Sequence, residues 1–234
     1  KYMYLFLLQL LFFLCVSSEK VKTIKLKTNN FITVQGTINE EAASNFIYDL
    51  NKHENKTKIY VYLNTNGGSV ESGNKILNEI QKYNLSCIAE KAYSMGFVLL
   101  QGCNERYITQ YAKLMQHQIS YGIQNEKEKI DNYARYINEI DNELNRMQAD
   151  KLKMNYEEFK YKTLNEWWVF GKNAIVNNMA DKTVNVFCSR DLTSKNYTVD
   201  QGSFTYTYSK CPLVSEPLQK KKNNNNMIYF LQYQ

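Results

Sequence analysis

Histidine is nearly absent from this chain, with His53 and His117 the only two among 234 residues. No Cys-x-x-Cys pair and no Cys/His cluster at zinc-ligand spacing accompanies them, so the common structural zinc frameworks are excluded. No metal and no cofactor is expected. An apolar run of the length a membrane span needs, about 20 residues, is also missing. The nearest candidate, Met3 to Val16 within KYMYLFLLQLLFFLCVSSEK, is shorter. Nor is there a concentrated basic face: the net charge is +6, and Lys220, Lys221 and Lys222 of the KKKNNNN run supply three of those charges. Nucleic acid is therefore not an expected partner.

The aromatic content and alternating apolar segments suit one folded domain between two appendages. At the N-terminus a Lys, the apolar run and the small residues Ser17 and Ser18 have the layout of a secretory signal peptide. Residues 1–18 are thus expected to be a signal peptide cleaved near Ser18, with a retained signal anchor or a buried helix as the alternatives. Asn55, Asn84 and Asn196 each begin an N-x-Ser/Thr acceptor pattern for glycosylation. Once the leader with Cys15 is set aside, four cysteines remain, Cys87, Cys103, Cys188 and Cys211, an even number that an oxidising lumen can pair. Cys188 with Cys211 is the preferred bridge. These features point to the secretory pathway, whether ER lumen, secreted or membrane-associated, with an organelle or the cytoplasm as the alternative.

Along the chain, KTIKLK and FITVQG read as one or two strands. Asn39 caps a helix whose Ala43, Phe46, Ile47 and Leu50 fall at i, i+3, i+4 and i+7. IYVYLN is a buried strand, and after NTNGGSV a second helix carries Gly73, Ile76, Leu77 and Ile80 at the same spacing. SCIA is a short strand and Ser94 to Leu100 a buried helix. Strand alternating with helix in this way predicts an α/β unit with parallel strands. Two further short strands are expected at Arg106 to Thr109 and Lys113 to His117. From Asn125 to about Lys153, Ile130, Tyr133, Ile137, Ile140, Leu144 and Met147 form a seam that wants a partner, in this domain or on a second subunit. Tyr156 to Asp181 reads as a helix pair around Trp167 and Trp168. VNVFC and SFTYTYSKC are expected to pair as late strands, with a loose tail from Leu218.

Three features carry chemistry. Gly67 and Gly68, directly after a buried strand, free backbone N–H groups to face a ligand and stabilise an oxyanion. Ser94 stands at a strand-to-helix junction, where the Met95 N–H offers a second donor. His117 is the imidazole in an apolar context. Together they would make an acyl-transfer site. Each also has a plainer reading: a turn, an N-cap and a core histidine.

Read in order, IYVYLNTNGGSVESG, AYSMGFVLL, LMQHQIS and the Trp-containing segment before AIVNNMAD resemble the proteolytic subunit of the Clp protease (ClpP), within the ClpP/crotonase superfamily. The likeness covers roughly Ile32 to Val186. It implies an α/β, ClpP/crotonase-like spiral of ββα units with a long handle helix. It implies a serine endopeptidase in which Ser94 is the nucleophile, His117 the general base, and Gly67, Gly68 and Met95 the oxyanion hole. Counting back from AIVNNMAD, the family's catalytic Asp falls at Glu166, with Asn165 the nearest substitute. A Glu can orient an imidazole as Asp does, although its extra methylene demands a longer reach.

The resemblance further implies a homo- or hetero-oligomeric ring, heptameric and stacked through the helix of Ile130 to Met147, acting on peptides or unfolded polypeptides. A partner Clp-type ATPase is left open, because a secretory lumen offers none. The expected organisation is a peptidase domain at 19–190, an extension at 191–217 and a flexible Lys/Asn-rich tail at 218–234. The alternative function is a catalytically inactive ClpP-like structural subunit. A crotonase-type acyl-CoA enzyme shares the fold but has no use for a Ser–His pair at these positions.

Overall fold

The computed structural model describes residues 21–223. The expected leader and the end of the tail lie outside those residues. Among the described residues no helix is long and apolar enough to cross a membrane.

The core is a seven-stranded sheet in the order β1-β7-β5-β4-β3-β2, with β6 added to β5. Its strands are β1 (Lys22–Leu26), β2 (Phe31–Ile38), β3 (Tyr60–Gly68), β4 (Ser86–Tyr93), β5 (Arg106–Gln116), β6 (Trp167–Phe170) and β7 (Lys182–Cys188). All neighbours pair in parallel except β5 with β6. Helices α1 (Glu40–Asn51), α2 (Val70–Lys82) and α3 (Met95–Gly102) connect β2 to β3, β3 to β4 and β4 to β5. Three successive βαβ units are the mixed α/β, mostly parallel architecture expected.

Period-two alternation explains how both faces of the sheet are buried. Val61, Leu63, Cys87, Ala89 and Ile108 join one cluster with the apolar faces of α1, α2 and α3. Tyr62, Ile88 and Tyr107, on the same three strands, point into a second cluster with Ile24, Leu26, Val184, Leu192 and Cys211. Asn39 accepts from the Ala42 N–H at 2.9 Å and so caps α1. The helix α3 is buried along Met95 to Gln101 and lies against the strand ends.

The handle helix is α4 (Lys127–Leu152), followed by α5 (Tyr156–Thr163). Its two halves differ. Asn145, Gln148, Ala149 and Leu152 are buried where α4 meets α3 and α5, whereas Ile130, Ile137 and Ile140 are only half-buried and Tyr133 is exposed. The seam is thus split between this domain and a stretch with little cover.

Four local expectations are corrected. Trp167 and Trp168 lie in strand β6, not in a helix, because Glu166 at φ +63 breaks the chain out of helical geometry and the short aromatic run pairs with β5. The expected pair of helices flanks β6, α5 before it and the one-turn α6 (Asn173–Val176) after it. The two strands expected between Arg106 and His117 are one, β5, whose exposed middle is skipped by the β4 ladder between Ala89 and Lys91. VNVFC and SFTYTYSKC do not pair: β7 joins β1, while β9 (Phe204–Ser209) sits between β8 (Asn196–Gln201) and β10 (Gln219–Lys222) in a separate antiparallel sheet. Part of the expected loose tail is therefore a strand, β10.

The late segment is tied back covalently. Cys188, ending β7, is bonded to Cys211, which follows β9, and a helix turn α7 (Arg190–Thr193) lies between β7 and β8. Cys87 of β4 is bonded to Cys103 at the end of α3, with Cα atoms 5.8 Å apart. Asn55, Asn84 and Asn196 are all exposed.

Candidate active site

The carboxyl ends of three adjacent parallel strands, β3, β4 and β5, deliver Gly67–Gly68, Ser94 and His117 to one edge of the sheet. Residues far apart in sequence converge there because parallel strands with helical crossovers all end on the same side.

Ser94 occupies the N-cap position of α3 but does not act as a cap. Its side chain makes no cap hydrogen bond, and its backbone is held at φ +52, ψ −122. Few L-residues adopt that conformation, which must be maintained by its surroundings. The Ser94 N–H donates to the Met115 carbonyl at 2.9 Å, and the Ser94 carbonyl accepts from Phe97 N–H at 2.9 Å. The hydroxyl is thereby turned toward β5. His117 Nε2 lies 2.8 Å from Ser94 Oγ, within hydrogen-bond distance. Both residues are half-buried.

The glycine pair divides into two roles. Gly67, at φ +88, packs so closely on the turn that a Cβ there would stand 2.6 Å from the Tyr93 carbonyl oxygen and 2.9 Å from the Met95 nitrogen. Its own N–H is taken by Thr65 Oγ1 at 3.0 Å. Gly67 therefore lets the end of β3 approach the Tyr93–Met95 turn rather than offering a donor. Gly68, Ser94, Met95 and His117 line one pocket of ≈ 70 Å³. As the first residue of α3, Met95 has an N–H that no intrahelical carbonyl accepts.

Glu166 is placed differently from the other members. The antiparallel ladder pairs Gln116 with Trp167 and Met115 with Trp168. Continued by one step, it sets Glu166 opposite His117. Glu166 is nevertheless exposed, and its Oε2 accepts the Trp168 indole N–H at 2.9 Å. Among the described residues no hydrogen bond joins it to His117, and Asn165, also exposed, makes none either. Strand β5 is steadied elsewhere: Gln116, buried at its end, donates to Gln148 Oε1 at 2.5 Å.

Three polar residues on α4 were not foreseen from sequence. Asp141, Asn145 and Gln148 line the same pocket as Ser94 and His117. Their signal in the sequence is the i, i+4, i+7 spacing beside Leu144 of the apolar seam. Among the described residues no group of three His, Cys, Asp or Glu side chains is arranged to hold a metal ion.

The arrangement suits acyl transfer. A hydroxyl in contact with an imidazole can be deprotonated as it attacks a carbonyl, and a first-turn helix N–H beside it can donate to an oxygen on which charge develops. In the comparison with protein families, the model described as Clp protease matches residues 17–186.

Proposed function

The chain belongs to the Clp protease family, and from that premise we propose that it is a serine endopeptidase hydrolysing peptides and unstructured polypeptide segments. One observation carries the reading: the 2.8 Å contact between His117 Nε2 and Ser94 Oγ.

In this mechanism Ser94 Oγ attacks the peptide carbonyl carbon while its proton passes to His117 Nε2. The carbonyl oxygen, now anionic, accepts hydrogen bonds from the N–H groups of Gly68 and Met95. Collapse breaks the C–N bond, and the departing amine takes the proton from His117. Water then repeats the sequence on the acyl-enzyme, restoring Ser94 and releasing the new carboxyl terminus. Glu166, one ladder step from His117, orients the imidazole once its carboxylate leaves Trp168. Gly67 and Thr65 hold the loop on which Gly68 sits.

Members of the family form oligomeric rings that act on polypeptides. For this chain we infer the same kind of assembly, with the little-covered half of α4 as the surface between rings. Two cysteine pairs and three exposed acceptor asparagines support maturation in an oxidising secretory compartment.

A second reading has one observation in its favour. The Glu166–Trp168 hydrogen bond leaves His117 without its carboxylate, as in a catalytically inactive subunit of a ring. Labelling with a fluorophosphonate probe separates the two. The peptidase reading expects covalent modification of Ser94, abolished in Ser94→Ala; no labelling, beside a known serine hydrolase that labels, supports the inactive subunit.

A further inference from the structure

The pocket beside Ser94 contains a charge that the hydrolytic steps do not use. On α4, Asp141, Leu144, Asn145 and Gln148 share one helix face, and all four line the pocket of ≈ 70 Å³ with Ser94. Asp141 is half-buried. Asn145, only 6% exposed, donates its Nδ2 to Asp141 Oδ2 at 2.9 Å and fixes the carboxylate's direction. Gln148 is held in turn by Gln116 and by the Leu144 carbonyl, so the wall is rigid.

Among the described residues Asp141 Oδ1 receives no hydrogen bond, and no Lys or Arg forms a salt bridge with Asp141. No Lys or Arg lines the pocket, whereas Val70, Val98 and Leu144 give it apolar sides. A half-buried carboxylate with one free oxygen and no Lys or Arg partner can still receive a charge-assisted hydrogen bond from a cation that reaches it. Apolar side chains beside uncharged amides such as Gln116 and Gln118, with one carboxylate among them, fit a side chain with a methylene stem and a charged head. The small volume favours such an unbranched stem over a ring.

We propose that Asp141 determines specificity, and that this pocket accepts the Lys or Arg side chain of the residue whose carbonyl Ser94 attacks. This rests on the serine-peptidase reading. A charge-assisted contact of this kind is strong enough to favour a cationic residue over an isosteric neutral one by roughly tenfold or more.

The test uses the full chain and tripeptide amides of a fluorogenic coumarin amine that differ only in the last residue: Lys, Arg, Leu, Met or Glu. Active sites are titrated with the fluorophosphonate probe, so each variant is normalised to its reactive serine. The expected result is a kcat/KM for Lys and Arg about tenfold or more above Leu. Asp141→Asn is expected to bring that ratio near one, and Asp141→Lys to shift preference to Glu. A chain that labels and cleaves with Leu or Met favoured, at a ratio indifferent to Asp141→Asn, overturns the proposal while leaving the peptidase reading intact. A chain that neither labels nor cleaves removes both.

Discussion

The indole N–H of Trp168 donates to Glu166 Oε2 at 2.9 Å, and the β5–β6 ladder extended by one residue sets that same glutamate opposite His117. In the proposed mechanism Trp168 and His117 compete for that one carboxylate. Trp168→Phe removes the competitor and is expected to raise kcat/KM roughly two- to threefold, while Glu166→Ala lowers it about tenfold. Steady-state rates on a peptide amide check both. If neither variant moves the rate, Glu166 has no part in orienting His117.

In the proposed mechanism Ser94 and His117 act as a unit, so the loss of both is not additive. Ser94→Ala and His117→Ala are each expected to lower kcat by at least about 10³-fold, and the double variant to be no worse than either. A double variant slower by the product of the two effects would show that the residues act separately.

Gly67→Ala tests the close approach of β3 to the catalytic turn. The new methyl would press on the Tyr93 carbonyl and the Met95 nitrogen, and φ +88 is unfavourable for alanine. A loss of about 1–3 kcal/mol in stability is expected, together with a fall in kcat larger than any change in KM. Thermal melting and kinetics on one preparation measure the two effects.

Arg106 and Asp181 predict an acid limb of stability. Arg106, 5% exposed, donates to Asp181 Oδ1 at 2.6 Å and also to Gln101 and the Asn178 carbonyl. Burial alone would push the Asp181 carboxyl up, but hydrogen bonds from the Arg106 side chain and backbone outweigh it and hold the group below its ordinary value. The stabilisation is therefore complete above the ordinary carboxylate range, about pH 4, and is lost as pH falls through the lowered value. Asp181→Asn should cost about 2 kcal/mol at neutral pH and flatten this limb, less than a fully buried pair because the Asp181 side chain is 37% exposed. Denaturant melts between neutral and acidic pH report both effects.

The two cysteine pairs differ in access. Cys87 and Cys103 are wholly buried, whereas Cys188 is partly exposed. A mild reductant under native conditions is expected to open Cys188–Cys211 first, as read by alkylation and mass spectrometry. Closing a loop of 23 residues is worth about 3 kcal/mol, so that reduction should lower the melting temperature and expose the β8–β10 sheet to protease.

Much of the fold can be read from local pattern. The faces of α1 and α2 show helical periodicity, and the β-branched run of β3 marks a strand buried on both sides. Strand β6 was missed because four residues are too few to establish a period and its conformation comes from pairing with β5. Strand β10, with the sequence QKKK, has no strand signal and exists through its ladder with β9. At the site, Ser94 and His117 could be anticipated from their motifs. The capture of the Gly67 N–H by Thr65 and the approach of Asp141 depend on packing between distant elements, which a linear pattern does not encode.

The idle cap at Ser94 has a practical consequence. Because its hydroxyl contributes nothing to the start of α3, replacing it with alanine removes the proposed nucleophile and its contact with His117 without removing a helix cap. On the proposed mechanism, the Ser94→Ala chain is therefore expected to be a disarmed form with its binding surface intact, suited to holding uncut polypeptides long enough for them to be isolated and identified.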